Sequence, residues 1–265
     1  MNLIQAVIIA IIEGITEFLP ISSTAHMKFA NPLIGVQTTA FTDLYEIVIQ
    51  LAAILAVLVL YYKRFFDFKK IGFYSKLIIA LIPAIIAGVL LKKHIDVMLG
   101  NLLFIAVVMI AGGIILLFID KQFTNPRIHS QETVTNKNAF VIGCYQVLSV
   151  IFPGLSRSAA TIIGGLSQKL DRRTAAEFSF FLAVPTMLAA SVKSIWDVHK
   201  TNPEVLAKDN MFLLALGSLV SFVVALLAIR FFITYLQRHG FKLFGYYRII
   251  AGTLVLFLIW KGIIH

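Results

Sequence analysis

The chain has 265 residues, of which 59% are hydrophobic and 14% charged, and it carries a net charge of +10. Water-soluble domains carry about 25% charged residues, so this balance excludes a soluble globule. The basic residues stand between apolar runs rather than in one stripe, which argues against a nucleic-acid partner and gives them a role in orienting the chain in a bilayer.

The first apolar run, Leu3–Ile12, has no basic segment before it and is interrupted by Glu13, so it reads as part of the mature fold and not as a cleaved signal. It reaches only about 15 Å before Glu13 and Glu17, and Pro20 then stops the helix ahead of Ser22, Ser23 and Thr24. Three runs long enough to span follow, at about Tyr45–Tyr62, Phe73–Leu91 and Leu102–Ile119. Ala139–Phe152 is again short. It contains the lone cysteine, Cys144, which cannot form an internal disulfide, and ends at Pro153-Gly154. Ser156-Arg157-Ser158 and a second short run, Ala159–Leu166, come next, and three more spans close the chain at about Ala175–Ile195, Met211–Ile233 and Tyr246–Trp260. The expected fold is an all-α polytopic membrane protein, a single integral membrane domain over 1–265. It has six transmembrane helices plus two re-entrant helix-loop-helix hairpins. Irregular backbone at membrane depth is tolerated where it lines a cavity, so the two breaks mark the place for chemistry.

The halves match each other. Glu13 to Pro20 has the spacing of Gln146 to Pro153, Glu46–Ala52 resembles Glu177–Ala183, and Ile110–Asp120 resembles Ile250–Trp260, at offsets of 133, 131 and 140. Near-constant offsets in chain order indicate a duplication, with repeats at approximately 1–120 and 135–265. Each repeat holds a hairpin and three spans. Three is odd, so the second copy enters from the opposite side, an inverted-topology repeat whose hairpin tips can meet near the midplane. The loops around Lys63–Lys76, Lys121–Lys137, Lys169–Arg173 and Arg230–Arg248 carry fifteen Lys and Arg; Lys28, Lys92, Lys93, Lys193, Lys200, Lys208 and Lys261 make seven on the other side. The richer side is expected in the cytoplasm, with both termini outside.

Glu13 and Glu17 are four residues apart and share a helical face, where two carboxylates repel unless something positive lies between them. Ionisable groups inside a membrane segment are functional by default. Ser22, Ser23 and Thr24 exceed what one helix cap needs, and His26 stands three residues after Ser23, a spacing that allows a nucleophile and base. In the second break, Gly154 and a helix start at Ser156-Arg157-Ser158, with Thr161 beyond, offer backbone N–H groups and a guanidinium fork, an anion cradle. Acidic groups able to hold a divalent cation, hydroxyls, an imidazole and an arginine are the parts phosphoryl transfer uses. A phosphate ester with an apolar tail suits them. A lipid flippase or transporter that binds a diphosphate without cleaving it is the alternative, because inverted repeats with broken helices also build transporters.

At these residues the chain resembles the undecaprenyl pyrophosphate phosphatase, or bacitracin-resistance, family. Glu13-Gly-Ile-Thr-Glu17-Phe-Leu-Pro-Ile-Ser-Ser-Thr-Ala-His26 looks like its acidic and Ser-Ser-Thr-Gly-His region, with Ala25 where glycine is usual, and Pro153-Gly-Leu-Ser-Arg-Ser-Ala-Ala-Thr161 looks like its Pro-Gly-x-Ser-Arg-Ser motif. The resemblance implies hydrolysis of C55 isoprenyl pyrophosphate to the monophosphate and inorganic phosphate in a bacterial plasma membrane, recycling the lipid carrier of the cell wall. Expected roles follow. Ser23, or a water it holds, attacks, and His26 or Glu17 takes the proton. Arg157 is catalytic, and Ser22, Thr24, Gly154, Ser156, Ser158 and Thr161 bind substrate. Glu13 and Glu17 hold a divalent cation, Mg²⁺ or Ca²⁺. The partners are the polyisoprenyl pyrophosphate lipid and the bilayer, a homodimer being compatible, and the site is expected to open outside the cytoplasm. Reporter fusions after Lys70 and after Lys200 should give opposite signals; equal signals would overturn the topology.

Overall fold

A computed structural model describes residues 1–67, 71–202, 205 and 208–264. Lys69 and Lys70, counted above for sidedness, lie outside the described residues, as does the side chain of Lys208. The fold is helical throughout, and the described β-structure is one isolated bridge between Ile128 and Leu170.

Six helices are long and apolar enough to cross a membrane: α3 (Ala40–Leu60), α5 (Ile71–Leu90), α7 (Leu102–Gln122), α10 (Arg172–Thr201), α11 (Lys208–His239) and α12 (Lys242–Trp260). They coincide with the six expected runs, but several begin earlier. Hydropathy marks only the apolar part of a helix, whereas its ends are set by capping. The Thr39 hydroxyl accepts the Thr42 N–H at 3.2 Å to start α3, and Asp171 accepts the Thr174 N–H at 2.7 Å to start α10. Two short helices, α4 (Tyr62–Phe65) and α6 (Lys92–Leu99), lie in the connections on either side of α5.

The remaining helices form two broken pairs, α1 (Leu3–Thr16) with α2 (Ser23–Leu33) and α8 (Asn136–Ile151) with α9 (Arg157–Ser167). At about 1.5 Å per residue none of the four reaches the roughly 30 Å of a hydrocarbon core. The first helix runs past Ile12, so Glu13 is inside it, and it ends at Thr16. Pro20 is the cause. It has no N–H for the Thr16 carbonyl four residues back, and its ring crowds that carbonyl.

Among the long helices α7 pairs with α12 and α3 with α11, α5 packs on the shorter α8, and α1 packs on α11 and α10 on α3. Between them lies an aromatic core in which Phe18, from the first break, meets Phe180 edge-on at 5.0 Å. The two breaks touch directly: the Ser158 hydroxyl donates to the Leu19 carbonyl at 2.8 Å. One expectation is corrected here. Arg248, counted with the loop charges, is 0% exposed and belongs to the interior of α12.

Asp120, at the end of α7, ties three helices together. One oxygen accepts from Arg172 at 2.6 Å and the other from the Phe241 N–H at 2.8 Å, just before α12. Asp120→Ala should therefore destabilise the fold by about 1–3 kcal/mol through the unpaired donors it leaves. Thermal unfolding in detergent reads this as a lower midpoint, and an unchanged midpoint would show the tie to be dispensable.

Candidate active site

The two breaks are built alike. Each ends on a serine in the left-handed region, Ser22 at φ +72° and Ser156 at φ +77°. Each serine hydroxyl accepts the N–H three residues on, from Ala25 at 3.4 Å and Ala159 at 3.2 Å, so each is the N-cap of the following helix. A non-glycine residue in this region is strained, and such strain concentrates at ligand-binding turns. The cap aims the next side chain. In the first break that residue is Ser23, and in the second it is Arg157.

These two side chains converge on Glu17. The Ser23 hydroxyl donates to Oε2 at 2.6 Å, Gln50 Nε2 donates to the same oxygen at 3.2 Å, and Arg157 Nη2 bonds Oε1 at 3.2 Å. Both members of the ion pair are nearly enclosed, with side-chain exposures of 9% for Arg157 and 4% for Glu17. Arg157 is oriented by the Ser179 carbonyl, which accepts Nη1 at 3.0 Å, while its buried Nε has no partner. Glu13, one turn before Glu17, is 0% exposed, and neither of its carboxylate oxygens receives a hydrogen bond. Neighbouring Glu46 is held by Asn31 at 2.6 Å and Lys28 at 3.3 Å.

A small chamber of about 50 Å³ lies here, with Glu17, Ser23, Gln50 and Arg157 in its wall. It shares Ser22, Thr24, Ser156, Arg157 and Met187 with a larger cavity of about 360 Å³, whose wall adds apolar groups such as Ile95, Leu99, Val150 and Ala190 and also the polar side chains of Gln146, Ser149 and Thr186. The pair is a polar pocket opening into a mostly apolar vestibule. A still larger cavity, about 500 Å³, lies beside Asp120 and Arg172, and none of the residues of the two breaks lines it.

The structure gathers most of the expected residues around this chamber, though not all hydroxyls face it. Ser156 and Ser158 bond each other at 3.0 Å. Thr161 is 0% exposed and donates to the Ser179 hydroxyl at 2.6 Å, which places it behind Arg157. Gly154, at φ +99°, lets the turn press against the Ile105 carbonyl, where a side chain would collide. His26 turns away from Ser23. Its Nδ1 meets the Ser22 carbonyl at 2.7 Å and its Nε2 meets the Tyr247 hydroxyl at 2.7 Å, so Glu17 is the group in contact with the Ser23 proton.

Sequence reasoning missed Tyr247, Ser179 and above all Arg248. The Arg248 guanidinium donates to the carbonyls of Pro20 at 3.0 Å, Leu155 at 2.8 Å and Gly154 at 2.9 Å, and its Nε donates to Met109 at 3.0 Å. The signal that could have found it is its place inside the expected span Tyr246–Trp260, where a charge is seldom without purpose, and counting it with the loop charges hid that signal.

The sequence pattern described as Bacitracin resistance protein BacA matches residues 6–254. Undecaprenyl-diphosphatase of Flavobacterium johnsoniae is 52% identical, over 97% of this chain and 96% of its own length. The protein of the same name from Porphyromonas gingivalis is 47% identical over 99% of both chains, and that of Bdellovibrio bacteriovorus is 44% identical over 99% of this chain and 98% of its own. A site assembled from the same two motifs, within a match that covers nearly the whole sequence, leads to one conclusion: this chain belongs to the bacitracin resistance protein BacA family.

Proposed function

We propose that the protein is an undecaprenyl-diphosphatase, hydrolysing C55 isoprenyl pyrophosphate to the monophosphate and inorganic phosphate in a bacterial plasma membrane. The observation that carries this reading is the Ser23–Glu17–Arg157 contact, which joins a nucleophile, a base and an anion-binding fork in one enclosed chamber. The terminal phosphate sits there, and the rest of the diphosphate and the isoprenyl part leave through the mostly apolar vestibule.

Phosphoryl transfer depends on position and charge neutralisation. Ser23 Oγ, or a water in its place, forms a bond to the terminal phosphorus as the bridging P–O bond breaks. The hydroxyl proton passes to Glu17 Oε2, already at 2.6 Å. The leaving group is the isoprenyl monophosphate, and where Ser23 is the attacking atom a water then releases phosphate from it. Arg157, with Nε unpartnered and Nη2 beside Glu17, holds the phosphoryl oxygens in line with Ser23.

A divalent cation fits the acidic side of the chamber. The oxygens of Glu13 lack donors, its carboxylate adjoins that of Glu17, and the donor set is hard oxygen, suited to Mg²⁺ or Ca²⁺. Among the described residues no three His, Cys, Asp or Glu side chains come together as a metal site, so substrate oxygens would complete the shell, as is common for Mg²⁺. Such an ion supplies charge neutralisation to the diphosphate.

The inverted repeat belongs to the same reading. The pairing of α1 with α11 has its counterpart in that of α8 with α5, as expected if α1–α7 and α8–α12 are two copies of one unit. The broken pairs then enter the bilayer from opposite sides as re-entrant hairpins, with the vestibule opening outside the cytoplasm.

Phosphate release from purified protein with C55 isoprenyl pyrophosphate tests the proposal; binding without release would favour a transporter. Arg157→Ala should abolish release in a protein that still folds, and retention of more than about a tenth of the rate would remove the clamp role. Glu13→Gln should weaken activation by added Mg²⁺ or Ca²⁺. In chelator it should raise the thermal midpoint, because a neutral amide replaces a buried carboxylate that lacks donors. A lower midpoint in chelator would argue against a cation beside Glu13.

A further inference from the structure

The catalytic contact joins groups carried by two separate chain breaks, Ser23 on one and Arg157 on the other. The geometry must be set by something that holds both breaks. The direct bond between them, Ser158 to Leu19, is a single neutral hydrogen bond. Arg248 does much more. Its fork reaches Pro20 in the first break and Gly154 and Leu155 in the second, while Nε anchors it to Met109 in α7. These carbonyls precede Ser22 and Ser156 by one or two residues, so Arg248 fixes the backbone just ahead of both caps.

We infer that Arg248 is a positioning residue for the reaction, setting the register of the serine-bearing break against the arginine-bearing one. It is fully buried and, among the described residues, its hydrogen-bond partners are main-chain carbonyls and none is a carboxylate, so its role is directional donation and not ion pairing. A planar fork can bond acceptors on two sides at fixed angles; an ammonium offers one point. Space for the fork comes from Gly112 in α7, where a Cβ would collide with Nη2. The adjacent Tyr247 reaches the same region through His26, giving α12 a second hold on the first break.

The kinetic part of this inference rests on the diphosphatase reading, and the test separates the two. Arg248→Lys keeps the charge and loses the fork. Gly112→Ala keeps the arginine and displaces the fork without changing any polar group. Gly88→Ala, whose added methyl meets nothing, is the control. With a C15 isoprenyl diphosphate in detergent, both test variants should lower kcat by about a hundredfold, the usual effect of an ångström-scale misplacement. KM should stay within about threefold of the parent. Independently of activity, nitroxide labels at Thr24→Cys and Ser149→Cys in a Cys144→Ala background should give one narrow distance in the parent and the Gly88→Ala control, and a broadened one in both test variants.

A kcat within about threefold of the parent in both variants would overturn the assignment. So would an unbroadened distance distribution, or losses of kcat that merely follow the thermal midpoint. Absence of phosphate release by the parent from both the C15 and the C55 isoprenyl diphosphate would overturn the diphosphatase reading instead, and the distance measurement would then decide the role of Arg248.

Discussion

A helix broken inside an apolar protein leaves main-chain carbonyls and N–H groups that water does not reach, and each must find a partner. In this fold the free N–H groups at the start of α2 and α9 are met by Ser22 and Ser156. The carbonyls of Pro20, Gly154 and Leu155 are met by one guanidinium, that of Arg248. Satisfying both breaks from a single side chain brings them together, and everything at the chamber depends on that proximity. Carbonyl oxygens take the place of water around the buried cation, which is what makes a fully enclosed arginine tolerable.

The two breaks share a build and divide the chemistry. Each holds a strained serine cap, and the residue after the cap points into the chamber. One break supplies a hydroxyl at that position and the other a guanidinium. Glu17 accepts from both, so it serves as the electrostatic hinge of the site, with Gln50 sharing one of its oxygens. Behind it Glu13 adds a second carboxylate with no donor of its own. Acid and arginine meet in the chamber wall, the Glu17 carboxylate lying against the Arg157 guanidinium at 3.2 Å. The vestibule beyond is lined largely by apolar groups. A molecule that is highly charged at one end and apolar along the rest matches both compartments at once.

Much of this was legible in order along the chain. The six long helices followed from apolar run length, because no other structure can satisfy a backbone across a hydrocarbon layer so simply. The breaks followed from Pro20 and from Pro153-Gly154, and the acidic pair, the serines and Arg157 stood out as polar groups where none is needed for folding. Arg248 did not stand out. It lies seven residues after Phe241 in a chain region rich in loop cations, and counting charges by loop assigned it to solvent. The role of His26 was equally hidden, since spacing brought it near Ser23 while the partner that orients it, Tyr247, is 221 residues away.

By itself the sequence determined the helical membrane architecture, the two breaks and the kinds of chemical groups at them, since hydropathy, proline and glycine act through neighbours in the chain. The tertiary structure decided which groups touch: that Ser23 gives its hydrogen to Glu17 and not to His26, that Thr161 stands behind Arg157, and that Arg248 binds both breaks. The contacts that hold these groups in place reach across the fold: Arg157 meets Glu17 across 140 residues, His26 meets Tyr247 across 221 and Arg248 meets Pro20 across 228. Such contacts are fixed by how whole helices pack, and no local pattern of residues carries that information.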